Sequence, residues 1–336
     1  MNNLKKIGLS ALAGSLAAIS ANAVEVSVSG KTEVTYVSKE TGTVGNPWGM
    51  GNAITFSGSG DVNGMTATYT AVLQDGGGAN SNTSEAFASS SLMLDMGDFG
   101  TVGFDQGVGE FGVGTIDDKT PYAYEEQWTY TGATNGLRAA GGTNVLGYKN
   151  TVAGYTLSVE MDPGHANNST AGGSSDGYST GAGTTDSGFN WALTGSPMEG
   201  LSVGVGAGKE DASTDTAQMD ATFHTAFVTY AIEGATIGYQ RSSGRGGSAA
   251  ATSNEVEIMG ISYQINENVA ISYSTMDNDF GTTGTIADVT EDTKGFGASY
   301  TMGSAAIRVL AAETDNVGGV TASNEEHVEV SLMLAF

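Results

Sequence analysis

The sequence predicts an all-β chain, a 16-stranded antiparallel transmembrane β-barrel. Three observations lead there. Most segments alternate apolar with polar residues, tight Gly/Asn/Asp turns alternate strictly with long polar connections, and the last strand carries one wholly apolar face. A period of two residues is the strand signal.

The first element stands apart from the rest. "MNNLKK" is short and basic, "IGLSALAGSLAAIS" is apolar and small, and Ala21-Asn22-Ala23 fits a small-x-small cleavage pattern. Residues 1–23 therefore read as a cleaved signal peptide, which leaves 24–336 as the barrel domain. The export signal sits beside a cysteine count of zero, which rules out a disulfide framework and any thiolate chemistry.

Along 24–336 the short reversals fall at Asn63-Gly64, Gly97-Asp98, Ala153-Gly154, Met198-Glu199, Glu233-Gly234, Asn266-Glu267 and Gly303. Each supplies Gly, Asn or Asp where a tight turn needs positive φ or a local side-chain bond. Between them lie eight longer connections, centred near 38–51, 75–86, 107–142, 163–186, 210–219, 243–253, 278–291 and 315–324. Seven turns alternating with eight loops require sixteen strands, with both chain ends on the short-turn side.

The strands themselves show two faces. "VEVSVSGKTEVTYV" sets Val26, Val28, Val34 and Tyr36 against Ser27, Ser29, Lys31 and Glu33. "GYTLSVEM" and "NVAISYST" repeat the pattern, whereas in "ATFHTAFVTYAI" and "EVEIMGISYQI" the alternation blurs. Sixteen strands enclose too wide a space for side chains to fill. Polar faces then line water and apolar faces meet lipid. The closing "HVEVSLMLAF" would pair with the start of the chain and abolish both sheet edges, as a bilayer demands.

Composition narrows the function. Glycine is abundant (51) and proline scarce (4), but the glycines are interleaved with Val, Ile, Tyr and Phe, which favours ordered strands over disorder. Asp and Glu number 37 against 12 Lys and Arg, for a net charge of −25. Such a balance argues against binding nucleic acid and for attraction of cations.

These features resemble the general diffusion porins of Gram-negative bacteria, and their alphaproteobacterial branch more closely. The resemblance runs from the leader through the strand count to the terminal Phe336. It implies an inward-folded constriction loop after strand 5, here about 107–142, beginning "GVGEFGVGTIDDK". It also implies a homotrimer in the outer membrane, contact with membrane lipid and lipopolysaccharide, and assembly by the barrel-assembly machinery through the C-terminal strand ending in Phe336. Both mature termini would then lie on the periplasmic side. Function would be passive diffusion of small hydrophilic solutes and ions, with mild cation selectivity and no enzymatic activity.

A pore of this type works through a transverse field, acids on the loop facing bases on the wall. The loop candidates are Glu110, Asp117, Asp118, Glu125 and Glu126, with Lys119 and Arg138 as internal partners. Alternation points Lys31, Lys149 and Arg308 inward, and Lys31 with Arg308 would form one basic arc across the closure. Glu25, Glu33, Asp95, Asp105, Glu160 and Glu329 would offset it. No cofactor is expected; the metal left open is a structural Ca²⁺ near Asp277 and Asp279, in "MDNDFG", although the EF-hand spacing is absent. Gly107-x-Gly109-x-x-Gly112 matches a dinucleotide fingerprint without the βαβ unit it requires, so it reads as chance in a glycine-rich chain. His165, His224 and His327 are scattered, with nothing to support a Ser-His hydrolase. The rivals are a substrate-specific channel of the same architecture, an outer-membrane hydrolase, and a secreted β-rich binding protein.

Overall fold

A computed structural model describes residues 25–40, 45–74, 89–128, 143–162, 187–211, 220–245, 253–281 and 289–336. The expected signal peptide and Arg138 lie outside them. Sixteen strands follow one another: β1 (Glu25–Lys39), β2 (Trp48–Val62), β3 (Met65–Gln74), β4 (Ser89–Asp95), β5 (Thr101–Gln106), β6 (Thr143–Val152), β7 (Tyr155–Asp162) and β8 (Gly188–Met198). The second half comprises β9 (Leu201–Glu210), β10 (Ala221–Ile232), β11 (Ala235–Arg245), β12 (Ser253–Gln264), β13 (Val269–Gly281), β14 (Val289–Met302), β15 (Ala305–Asp315) and β16 (Glu325–Ala335). Every strand pairs antiparallel with its neighbours in chain order, and β1 pairs with β16, so the barrel is closed and has no edge.

The turns carry the chemistry that their geometry needs. Asn63-Gly64, Ala153-Gly154 and Glu233-Gly234 all hold both residues at positive φ, the twist-matched form of a two-residue hairpin. Asp61 accepts a hydrogen bond from the Gly64 amide and tightens the first of these. The β8–β9 turn sits one residue later than the sequence suggested, at Glu199–Gly200.

Large apolar side chains stand exposed on the outward parity: Val26, Val28 and Val34 on β1, Ile261 and Tyr263 on β12, and Val328, Val330, Leu332 and Leu334 on β16. On β16 the alternate positions Glu325, His327, Glu329 and Ser331 are buried inside. A closed barrel with an apolar exterior and a polar interior has the solvent pattern of a lipid-embedded strand barrel.

Closure depends on the last residue. The Phe336 amide donates to the Gly30 carbonyl at 2.9 Å, and the Gly30 amide donates back to Phe336 at 2.7 Å. The Phe336 ring lies over Gly30, in the space where a Cβ would sit. Replacing Gly30 by Val should therefore push the ring off its seat and weaken the β1–β16 seam. We expect the heat-dependent mobility shift of the folded barrel on gels to fall by several degrees, on the order of the 1–3 kcal/mol of an overpacked site. An unchanged transition would show that the seam is held by the strand ladder alone.

Candidate functional site

The interior is organised by the segment that leaves β5. Asp105, buried at the end of that strand, accepts the amides of Val108 at 2.7 Å and Glu110 at 2.6 Å. Gly107, Gly109 and Gly112 all have positive φ, between 63° and 86°. The fingerprint-like glycines are thus a turning device, because only glycine takes this backbone without strain. Phe111 then buries completely, its ring filling the space above Gly147 where a side chain would stand.

A short 3-10 helix, Gly112–Ile116, follows and docks by its main chain. The Gly112 amide donates to Ser158 Oγ of β7 at 2.9 Å, and the Val113 amide to Asn190 Oδ1 of β8 at 2.7 Å. Its apolar side chains Val113 and Ile116 pack with Ala192, Phe223 and Phe227 of the wall. Farther on, Gln240 of β11 takes the Lys119 amide on Oε1 (2.9 Å). Its Nε2 donates to the carbonyls of Ile116 (2.9 Å) and Asp117 (2.8 Å).

Beyond Gln240 the path continues toward the seam. Pro121 passes over Gly238 and Gly260, which leave no room for a Cβ without displacing it. The Ala123 amide donates to Ser272 Oγ of β13, and Ser274 Oγ donates to Gln127 at 2.6 Å. Trp128 packs with Val256, Ile258 and Met276, flanked by Tyr122. Tyr124 reaches both sides of the closure, donating toward Glu329 of β16 at 3.0 Å and Glu33 of β1 at 3.2 Å. The partners on the wall all lie on the inward parity, so residues 107–128 run inside the barrel.

This path arranges the charged candidates. Glu110 binds Lys149 Nζ at 2.7 Å, and Lys149 also sits 5.6 Å from the Phe111 ring centre. Asp117 ends the 3-10 helix, half-buried, and burial pushes its carboxyl above the usual range. Asp118 beside it is exposed to the lumen. Glu125 and Glu126 lie at the far end. Burial first, then the neighbouring Glu329, Glu126 and Glu33, push the Glu125 carboxyl up to about 9. Burial also raises the phenols of Tyr122 and Tyr124.

Arg308 does not join Lys31 in one basic arc. It is level with Ser331, and Ser331 with Thr35, so Lys31 lies four residues from that level on β1, an offset of about 13 Å along the strand in addition to the two-strand spacing across the wall. The barrel stagger separates them. Arg308 instead pairs with Glu33 (3.6 Å) and stacks 5.0 Å from the centre of the Tyr124 ring. Lys31 is exposed on the same inner face. Of the offsetting acids, Asp105 and Glu160 are held by hydrogen bonds, Glu160 from Asn190 at 3.1 Å, and Asp95 accepts the Gly97 amide at a turn. The Glu25 side chain lies outside the described residues.

Comparison with known proteins now bears on this interior. A sequence model described as "Gram-negative porin" matches residues 8–332. The chain belongs to the Gram-negative porin family. Among solved structures, a porin refined at 1.8 Å is 16% identical, with a TM-score of 0.66 over 93% of this chain and 100% of the other. The Salmonella typhi OmpF complex with daunomycin is 14% identical, with a TM-score of 0.71 over 93% and 98%. A variant of the Rh. blastica porin is 15% identical, with a TM-score of 0.64 over 93% and 100%. No curated protein sequence matches.

Several residues that shape the interior of this porin were not picked out by sequence: Ser158, Asn190, Gln240, Ser272 and Tyr124. A signal for them existed in the blurred strands. Phe223 and Phe227 of β10, and Val256 and Ile258 of β12, put apolar side chains on the water-facing parity. Such residues need a cover, and the inner segment supplies it. Asp277 and Asp279 fall on the outward face of β13, and the described residues of the porin contain no group of three His, Asp or Glu arranged to hold a metal.

Proposed function

We propose that the porin is a passive pore of the Gram-negative outer membrane for small hydrophilic solutes and ions, narrowed by the segment that begins at Gly107. The observation that carries this reading is that segment's course inside the barrel, fixed to β5, β7, β8, β11, β13 and β16 by hydrogen bonds. A chain bound at so many points resists swinging out, so it sets a standing aperture.

The preference should be mildly for cations. The chain is strongly acidic, Lys149 is tied to Glu110, Arg308 pairs with Glu33, and the inner segment carries Asp117, Asp118 and Glu126 as its acidic boundary. No reaction is proposed, since the buried carboxylates Asp105 and Glu160 are engaged in holding structure. Family likeness supports a homotrimer among outer-membrane lipid and lipopolysaccharide, with both termini periplasmic. The exposed Phe336 ring is where the assembly machinery would read the last strand.

Planar-bilayer recording tests this. We expect stepwise, ohmic insertions and a reversal potential in a KCl gradient that favours K⁺. Asp117→Asn with Asp118→Asn should lower the K⁺/Cl⁻ permeability ratio by about twofold, the scale of removing charge from a focused field. Anion preference, or a ratio untouched by the double change, would overturn the acidic boundary. A folded protein without conductance would overturn the pore.

A further inference from the structure

Below the inner segment, toward the short turns, lies a recess of about 460 Å³. Its roof is the loop from Gly109 to Lys119, and its floor is the inner face of β6 to β10. Lys149 is level with Ser158, and Thr156 with Thr194, so the floor is a row of hydroxyls with a cation at one end. Ser202 extends that row, and the Phe227 ring gives it one apolar side.

The charge count in the recess is unlike that of the rest of the chain. Lys149 is neutralised by Glu110. Lys119 lines the same space and has no ion pair among the described residues. Its acidic neighbours Asp117 and Asp118 are not part of the lining. An acidic chain of net charge −25 thus holds a second ammonium in a hydroxyl-rich hollow, with Asp117 the carboxylate that feels its charge. Thr194 and Ser202 are half-buried and make no side-chain hydrogen bond among the described residues, so their hydroxyls can both give and accept.

We propose that this recess is a solute-binding site for small polyhydroxylated carboxylates, the sugar-acid class. One ammonium matches one negative charge, which favours a carboxylate over a doubly charged phosphate ester. A charge-assisted hydrogen bond to Lys119 fixes the acidic end. The solute hydroxyls exchange bonds with Thr156, Thr194 and Ser202, and its C–H face lies against Phe227. A neutral sugar leaves the ammonium unused, and a plain fatty carboxylate leaves the hydroxyl row unused. This site rests on the passive-pore reading above and adds a resting place for one class of traffic.

The test uses the full porin in a planar bilayer in KCl, with sodium gluconate added to either side. Gluconate should reduce conductance saturably, and glucose and propionate should need about tenfold higher concentration for the same block. Lys119→Gln should raise the half-blocking gluconate concentration about tenfold, and Thr194→Val by a smaller factor of about three. Lys294→Gln, which removes the same charge from the outer face, should leave the block as it was. Equal block in Lys119→Gln and the native porin would overturn the site, as would propionate acting as well as gluconate. If Lys119→Gln fails to insert, unchanged block in Thr194→Val overturns it. Clear pores that gluconate never blocks would remove the site and keep the pore, while absence of conductance would remove both.

Discussion

Replacing Gln240 by Leu is expected to release the middle of the inner segment and raise single-channel conductance by roughly half or more, with increased open-channel noise. Gln240 is completely buried, and its one amide group serves three main-chain atoms of the loop as well as the Thr225 hydroxyl at 3.1 Å. Leucine fills similar space and offers none of these bonds. The Lys119 amide and the Ile116 and Asp117 carbonyls would then be left unpaired beside an apolar surface, at about 1–3 kcal/mol for each group that finds no water. Moving away from the wall into the lumen relieves that cost. The apolar contacts of Val113 and Ile116 on one side and of Trp128 on the other would persist. The loosened stretch is therefore the one between them, where the acids lie. Native conductance in Gln240→Leu would mean that the remaining contacts hold the segment without Gln240.

Ion selectivity is expected to step with pH near 9. Glu125 lies at the end of the segment with its carboxyl pushed up to about 9 by burial and by Glu329, Glu126 and Glu33. At neutral pH it is protonated. Raising the pH through 9 adds a negative charge beside the others, so K⁺ preference should grow. Docking should change in the opposite sense. A carboxyl whose pKa is higher in the docked state than in a solvated chain favours docking fully below the ordinary carboxylate range and loses that contribution as pH rises through about 9. The alkaline step should thus bring both stronger cation preference and a noisier channel. Glu125→Gln should abolish the step, and reversal potentials recorded from pH 7 to 10 would show it. A step that persists in the variant would belong to another group.

The barrel was far more legible in the sequence than its interior. Alternation and turn residues act over a few positions, so Asn63-Gly64 or Glu233-Gly234 can be read without knowing what lies across the sheet. The inward direction of Lys149 and Arg308 followed from the same parity. What parity does not carry is stagger. Lys31 and Arg308 point to the same side, but their separation depends on how far β1 is offset against β16 and β15. The course of residues 107–128 is set by bonds to distant strands, from 46 positions for Gly112 to Ser158 up to 121 for Lys119 to Gln240 and beyond, and no local pattern encodes those. The water-facing Phe223, Phe227, Val256 and Ile258 hinted that something must cover them.

The inner segment is fastened in a lopsided way. At Val108, Glu110, Gly112, Val113, Lys119 and Ala123 it contributes a peptide N–H, and the barrel contributes the side chain: Asp105, Ser158, Asn190, Gln240 or Ser272. Peptide groups are the same whatever residue carries them. Exchange of Asp117, Asp118, Lys119 or Glu126 therefore alters the filter while leaving these main-chain bonds in place, whereas a change to their acceptors must be made in the staves. A lineage can retune what passes by drifting in a handful of codons, and an engineer can do the same, treating the loop as a replaceable gauge on a fixed bracket.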